Sequence, residues 1–191
     1  MPVPRLTAAM TEIDAADASR ILGHLEAAGL AVWLDGGWGV DALVGRQTRP
    51  HRDLDLVIAR DDLAAARQTL AAAGFSHDAT AVPGLPARLV LVDAAGRQVD
   101  LHPVIFDRHG NGWQDLGADA WGAYPVEELT ATGVIAGRSV RCKRPTLEVR
   151  HRLGYPLSAT DRHDLALLAR RFGVAVPPGV ADLAVGGEPG P

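Results

Sequence analysis

Residues 51–58 read His51-Arg52-Asp53-Leu54-Asp55-Leu56-Val57-Ile58. Taken as a strand, this stretch sends Asp53 and Asp55 to one face and Leu54, Leu56 and Ile58 to the other, into a core. Two such carboxylates repel each other unless a cation neutralises them. Hard oxygen ligands on a rigid strand suit Mg2+. Upstream, the apolar run Leu30-Ala31-Val32-Trp33-Leu34 reads as a buried strand, and Trp38 to Val44 as a short helix ended by Gly45. Between them stands Gly36-Gly37. A glycine pair at a strand-to-helix turn bares backbone N–H groups that can hold phosphate.

Residues 45–52 form a basic loop ahead of the acidic strand, carrying Arg46, Arg49, His51 and Arg52. All four are candidate triphosphate ligands, with Arg49 and Arg52 ranked above Arg46. A structural role for His51, bonding the backbone, is the competing reading. Asp35 and Asp41 flank the glycine turn and are assigned structural roles. A carboxylate in the first turn of a helix is favourable on electrostatic grounds alone.

Further along, 87–93 and 97–105 read as two strands of a hairpin turning at Asp93-Ala94-Ala95-Gly96. The second holds Asp100, with Val99 and Leu101 opposite. If this strand neighbours 53–58, then Asp53, Asp55 and Asp100 converge on one face. Such a set can hold two metal ions roughly 3.5–4 Å apart and clamp a phosphoryl transfer. His102 shares the face of Asp100 and is a candidate for an acceptor pocket. Residues 107–123 are rich in glycine and aspartate and read as a long, functional loop. Trp113, Trp121 and Tyr124 are candidates to stack on an acceptor, against core packing as the alternative.

The remaining pattern predicts helices over 11–28, 63–73 and from Pro145 to Arg152, and a hairpin over 132–142. A last helix, capped by Thr160 or Asp161, runs to Arg171 with a charged, solvent-facing side. The expected organisation is one main domain over 1–142, a helical segment over 143–175 packed on it, and a disordered tail over 176–191. Residues 1–7 read as a disordered lead. This mixture predicts an α+β fold, a small mixed sheet backed by helices.

The 191 residues are 47% hydrophobic, enough for a core. A formal net charge of -4 argues against a nucleic-acid-coating protein, which needs a basic face. No apolar run is long enough to span a membrane, and no signal pattern opens the chain. The single cysteine, Cys142, forms no intrachain disulfide and suits a reducing, cytoplasmic setting. It reads as a small buried hydrophobe.

Several stretches resemble one family. Trp33-Leu34-Asp35-Gly36-Gly37-Trp38-Gly39-Val40-Asp41, Gly45-Arg46-Gln47-Thr48-Arg49 and His51-Arg52-Asp53-Leu54-Asp55 are similar to the antibiotic nucleotidyltransferases of the lincosamide and aminoglycoside 2''-adenylyltransferase type. Val99-Asp100-Leu101-His102-Pro103 looks like that family's third-carboxylate segment. Residues 133–142 are similar to the aminoglycoside enzymes, and 151–155 with 160–164 to the lincosamide enzymes. The resemblance covers about residues 30–172.

It implies a polymerase-β-like nucleotidyltransferase fold, with C-terminal helices, that uses Mg2+ and ATP or another nucleoside triphosphate. By this resemblance Asp53 and Asp55 are metal ligands, and Asp100 is a third ligand, the general base, or both. The implied reaction moves AMP onto a hydroxyl of a small molecule, a lincosamide or an aminoglycoside, with pyrophosphate leaving. The wider superfamily usually has Gly-Ser in its phosphate turn, where this chain has Gly36-Gly37. A monomer and a homodimer both fit, with neither nucleic acid nor membrane as partner. Two rival readings stand beside it: a nucleotidyltransferase that modifies a protein partner, as an antitoxin would, and a nucleotide-binding module without catalysis.

Overall fold

The computed structural model describes residues 11–183. The first helix, α1 (Ala15–Ala27), is opened by Asp14, whose side chain accepts the Asp17 N–H at 2.8 Å. It buries Ala18, Ile21, Leu22 and Leu25 along one stripe. It starts later than the pattern suggests, because Ile13 is drawn into an antiparallel bridge with His51.

The strands follow as β1 (Val32–Leu34), β2 (Asp53–Ala59), β3 (Ser76–His77), β4 (Leu89–Val92), β5 (Gln98–Phe106), β6 (Gly112–Gly117), β7 (Ala120–Tyr124), β8 (Ala131–Ile135) and β9 (Arg138–Cys142). The helices among and after them are α2 (Gly36–Val44), α3 (Leu63–Ala72), α4 (Pro145–Arg152) and α5 (Ala159–Phe172). The main sheet runs β3-β4-β5-β2-β1-β9-β8 and is mixed. Its centre is the parallel pair β2 and β5, with Asp55 opposite Asp100 and Val57 opposite His102. That register delivers the expected neighbourhood of the two acidic strands. The turn between β4 and β5 closes as expected, with the Gly96 N–H donating to the Asp93 carbonyl at 3.0 Å.

One face of the sheet is apolar. Leu54, Leu56 and Ile58 from β2, with Val99 and Leu101 from β5, pack with α1 and α3 into the largest core cluster. Each such leucine or isoleucine, fully buried, contributes about 1.5–3 kcal/mol. The opposite face divides. Val57 and Val104 are covered by Tyr124, Leu129 and Leu147, while Asp53 and Asp55 stay partly open. A third cluster joins Val40 of α2 to Val149 of α4 and to Leu165 and Leu168 of α5.

Four expectations need correction. Residues 107–123 are not a loop: β5 runs on to Phe106, and β6 and β7 form a hairpin. The Asp107 carboxylate accepts the N–H groups of His109 (2.7 Å) and Asn111 (3.0 Å), folding the acidic stretch into a tight turn between β5 and β6. The helix after β1 begins at Gly36, so the glycine pair is its first turn and not a loop before it. The cap of α5 is Ser158, in a capping box with Asp161. Beyond 176 the chain still packs, since Val180 is fully buried in the third cluster; residues 184–191, like the expected lead at 1–7, lie outside the described residues.

Gly133 of β8 lets that strand lie directly on α2. A Cβ there would stand 2.5 Å from the Ala42 carbonyl and 2.8 Å from its Cβ. Backbone cannot yield as a flexible side chain does. Gly133→Ala is therefore expected to destabilise the fold by about 1–3 kcal/mol. Urea unfolding checks this: the midpoint should fall with the slope unchanged.

Candidate active site

A cavity of about 770 Å3 opens over the acidic end of β2. Gly36, Gly37, Arg49, Arg52, Asp53 and Asp55 line one part of it, together with His102. These are seven of the sequence-predicted site residues, brought together by the β2–β5 register and by the seating of α2 beside β2.

The glycine turn is required by crowding. Gly36 has φ +62°, and a Cβ on it would collide with Asp55 Oδ2. A Cβ on Gly37 would collide with the Arg49 guanidinium and the His51 ring. The first N–H groups of α2 have no partner within the helix. Asp35 takes one of them, accepting the Gly36 N–H at 2.6 Å. Gly37 lines the cavity beside Arg49.

Arg49 does not hang free over the turn. Its Nε and Nη2 donate to the two oxygens of Asp164 at 2.9 and 2.8 Å, a bidentate pair that pins it to α5. Arg52 is exposed and reaches the same cavity. Arg46 is exposed but does not line it. His51 is buried under the turn, stacked near Trp38, with its Nε2 2.5 Å from Asp41 Oδ2. It braces the loop, which removes it from the candidate phosphate ligands in this geometry. Asp41 also accepts from the Thr48 N–H at 2.9 Å and keeps its structural role.

Asp53 and Asp55 crowd one another. Burial, then Asp55 and Asp100, push the Asp53 carboxyl up to about 6. Crowded carboxylates are stabilised by a cation between them, and a hard divalent ion matches their oxygen donors. In that sense the pair fits Mg2+. Among the described residues, however, no group of three acidic, histidine or cysteine side chains is arranged to hold a metal ion. The missing third member is Asp100. It is fully buried, and its oxygens are taken by Arg88 Nη1 (2.5 Å) and Gln98 Nε2 (2.8 Å). Burial and Asp55 raise its carboxyl while Gln98 and Arg88 oppose them.

The aromatic candidates fall elsewhere. Trp113 and Trp121 are about half exposed on the outer face of the β6–β7 hairpin, off the cavity. Tyr124 is buried, and its hydroxyl donates to Gln114 Oε1 at 2.6 Å. None of the three reaches the cavity to stack on an acceptor. His102 does line it, with Nε2 3.0 Å from Asp55 Oδ1.

The other part of the cavity comes from residues that pattern reading assigned no role, a solvated one or, for Thr160 and Asp161, a helix cap. His151, Arg152, Tyr155, Thr160, Asp161 and Asp164 line it from α4, α5 and their connection. Beneath them lies an ionic network. Lys143, fully buried, pairs with Asp35 and lies 3.6 Å from Glu148. Glu148 pairs with Arg152, which reaches Asp164 at 3.4 Å. Burial would raise the Asp35 carboxyl, but Lys143 and then His102 hold it well below the usual range. Burial lifts Glu148 to about 7 against the pull of Lys143 and Arg152. Cys142, pushed up to about 12 by burial, is an inert core residue, as expected.

A family model described as aminoglycoside-2''-adenylyltransferase matches residues 18–168. The chain belongs to this family. It is a nucleotidyltransferase of the polymerase-β-like fold. It is similar to a lincosamide resistance protein of Staphylococcus haemolyticus, 28% identical over 145 residues that cover 76% of this chain and 88% of that protein. It is 31% identical over 130 residues to a 2''-aminoglycoside nucleotidyltransferase of Escherichia coli, covering 64% of this chain and 63% of that one. The crystal structure of the lincosamide antibiotic adenylyltransferase LnuA with lincomycin bound superposes with a TM-score of 0.72 at 26% identity, over 83% of this chain and 98% of LnuA. No helix among the described residues is long and apolar enough to cross a membrane.

His151 supplies a pH signature. Its Nε2 donates to the Ala123 carbonyl and its Nδ1 faces the Lys143 ammonium, both at 3.2 Å. Burial and Lys143 lower its pKa to about 4. A histidine depressed in the fold contributes stability above its unfolded value of 6.5, and this is lost as pH falls through about 4. The loss amounts to about 3 kcal/mol at most. His151→Gln keeps the donor to Ala123 and removes the titration. Chemical unfolding at pH 7 and pH 4.5 should show a smaller acid-induced drop in the variant than in the parent.

Proposed function

We propose that this nucleotidyltransferase moves AMP from ATP to a hydroxyl of a small-molecule antibiotic, with a lincosamide as first choice and an aminoglycoside as second. The observation that carries the reading is that Asp53 and Asp55 open onto the same cavity as the Gly36-Gly37 turn and Arg49. Coverage favours the lincosamide: the similarity runs along 88% of the lincosamide resistance protein but 63% of the 2''-aminoglycoside enzyme. The cavity wall from His151 to Asp164 lies in the stretch that resembles the lincosamide enzymes.

In this reading the triphosphate lies along the first turn of α2, where unpaired N–H groups and the helix dipole favour anions. Arg49 and Arg52 face its charge. Asp53 and Asp55 hold Mg2+, which when bound withdraws charge from the phosphoryl oxygens and from the departing pyrophosphate. The acceptor oxygen bonds to the α-phosphorus in line, and the bond from that phosphorus to the α–β bridging oxygen breaks. Pyrophosphate leaves with the electron pair. The hydroxyl proton passes to a base. Asp100 is the proposed base, the third ligand, or both, and either role requires Arg88 to release its Oδ2. Asp53→Asn and Asp55→Asn should each lower kcat by about 10^3-fold, from several kcal/mol of lost transition-state stabilisation, with unchanged circular dichroism.

Pyrophosphate release from ATP and Mg2+, measured across a panel of lincosamides and aminoglycosides, tests the assignment. Release with a lincosamide that vanishes in Asp53→Asn supports it. Retained turnover in a folded Asp55→Asn protein would overturn it. Arg49→Lys keeps the charge but loses the planar fork that Asp164 holds. Its KM for ATP should rise about tenfold with a smaller effect on kcat.

A further inference from the structure

The β6–β7 hairpin holds a buried glutamine whose amide orientation can be read from its neighbours. Gln114 Nε2 lies 2.8 Å from the Ala87 carbonyl oxygen. A flipped amide would set two acceptor oxygens against each other, so the nitrogen must face Ala87. Its oxygen then accepts the Tyr124 hydroxyl at 2.6 Å. The second N–H of the amide points at His102 Nδ1, 3.2 Å away.

An N–H aimed at Nδ1 requires that nitrogen to be an acceptor. The ring proton is thereby assigned to Nε2, which faces Asp55 Oδ1 at 3.0 Å. The remaining oxygen of Asp55, Oδ2, lies against Gly36, where a Cβ would collide with it. Asp55 thus has one oxygen fastened by His102 and the other turned to the glycine turn. Gln114 thus decides which of the two ring nitrogens carries the proton.

We infer that Gln114 and His102 are positioning residues: Gln114 fixes the tautomer of His102, and His102 fixes the rotamer of Asp55 so that Oδ2 is presented to cation and phosphate. This rests on the proposed nucleotidyl transfer and adds a role for two side chains. It moves His102 from the acceptor pocket to the support of a metal ligand. It also gives the hairpin a task, since Gln114 and Tyr124 are both buried there.

The first test needs no acceptor. Long-range proton–nitrogen correlation spectra of the histidine-labelled protein report which ring nitrogen bears hydrogen, and His102→Gln identifies the resonance. An acceptor-type Nδ1 and a protonated Nε2 are expected for His102. A proton on Nδ1 would overturn the inference. Gln114→Glu presents an acceptor to Nδ1 and should abolish the acceptor-type signal.

The second test reads Mn2+ affinity by electron paramagnetic resonance, with a non-hydrolysable ATP analogue present. Gln114→Glu and His102→Asn should weaken binding by about 10–100-fold, the usual effect of losing a partner that orients a ligand. His102→Gln, whose amide nitrogen can stand near the imidazole Nε2, should restore most of it. Unchanged affinity in folded His102→Asn would sink the idea, as would a rise in acceptor KM alone. Should no antibiotic be adenylylated at all, the tautomer and Mn2+ results still decide this inference separately from the substrate assignment.

Discussion

Carboxylate crowding on β2 is the constraint around which the site is organised. Asp53 and Asp55 share a face because a strand alternates, and the parallel register adds Asp100 beside Asp55. Three acids this close cannot all be ionised without compensation, and burial together with Asp55 and Asp100 pushes the Asp53 carboxyl up to about 6. Each neighbour answers a part of that charge. Arg88 takes an oxygen of Asp100, and His102 takes an oxygen of Asp55. What stays uncompensated is the part that faces the cavity. Within the site Asp35, Asp100 and Asp164 are each paired with a cationic side chain, while Asp53 and Asp55 open onto the cavity.

A second chain of charges ties the C-terminal helices to the phosphate turn. It passes from Asp35 through Lys143, Glu148 and Arg152 to Asp164, and from there to Arg49. Buried ion pairs contribute little net stability compared with apolar packing, but losing one partner leaves a buried charge and costs about 3–5 kcal/mol. Such a network therefore fixes geometry more than it adds stability. Its two ends matter most. Asp35 caps the helix that carries the glycine turn, and Arg49 lies on that turn. Helices α4 and α5 are in this sense part of the candidate phosphate site, though they lie about a hundred residues downstream of it.

The parts legible in the sequence were those carried by local periodicity. The alternation of 53–58 gave the strand, its core face and its acidic face together. Val99 and Leu101 flanking Asp100 did the same for β5. Contacts across long separations were not legible. Asp164 sits beside charged residues on α5 and reads as solvated, yet it is buried against Arg49, 115 positions away. The helix hides this because Leu165, Ala166, Leu167 and Leu168 are all buried as well, so no polar stripe separates from an apolar one. Residues 107–123 failed for another reason. Their glycines and aspartates mark two tight turns, and the short strands between them carry too few apolar residues to show a period.

Gly37 stands where the glycine turn, the basic loop and α5 meet. The first helical turn after β1 has room for backbone alone, because the Arg49 guanidinium and the His51 ring fill the space a side chain would take. A serine there, as the wider superfamily usually has, could offer a hydroxyl to phosphate but would have to displace both groups. This chain puts a guanidinium in that place, which offers charge as well as hydrogen bonds. A guanidinium on a loop needs an external hold to be useful, and the loop itself supplies only Pro50, whose carbonyl accepts from Nη1 at 3.2 Å. Asp164 supplies the rest. The glycine at 37, the arginine at 49 and the aspartate at 164 are thus one device distributed over the chain, and each is intelligible only from the other two.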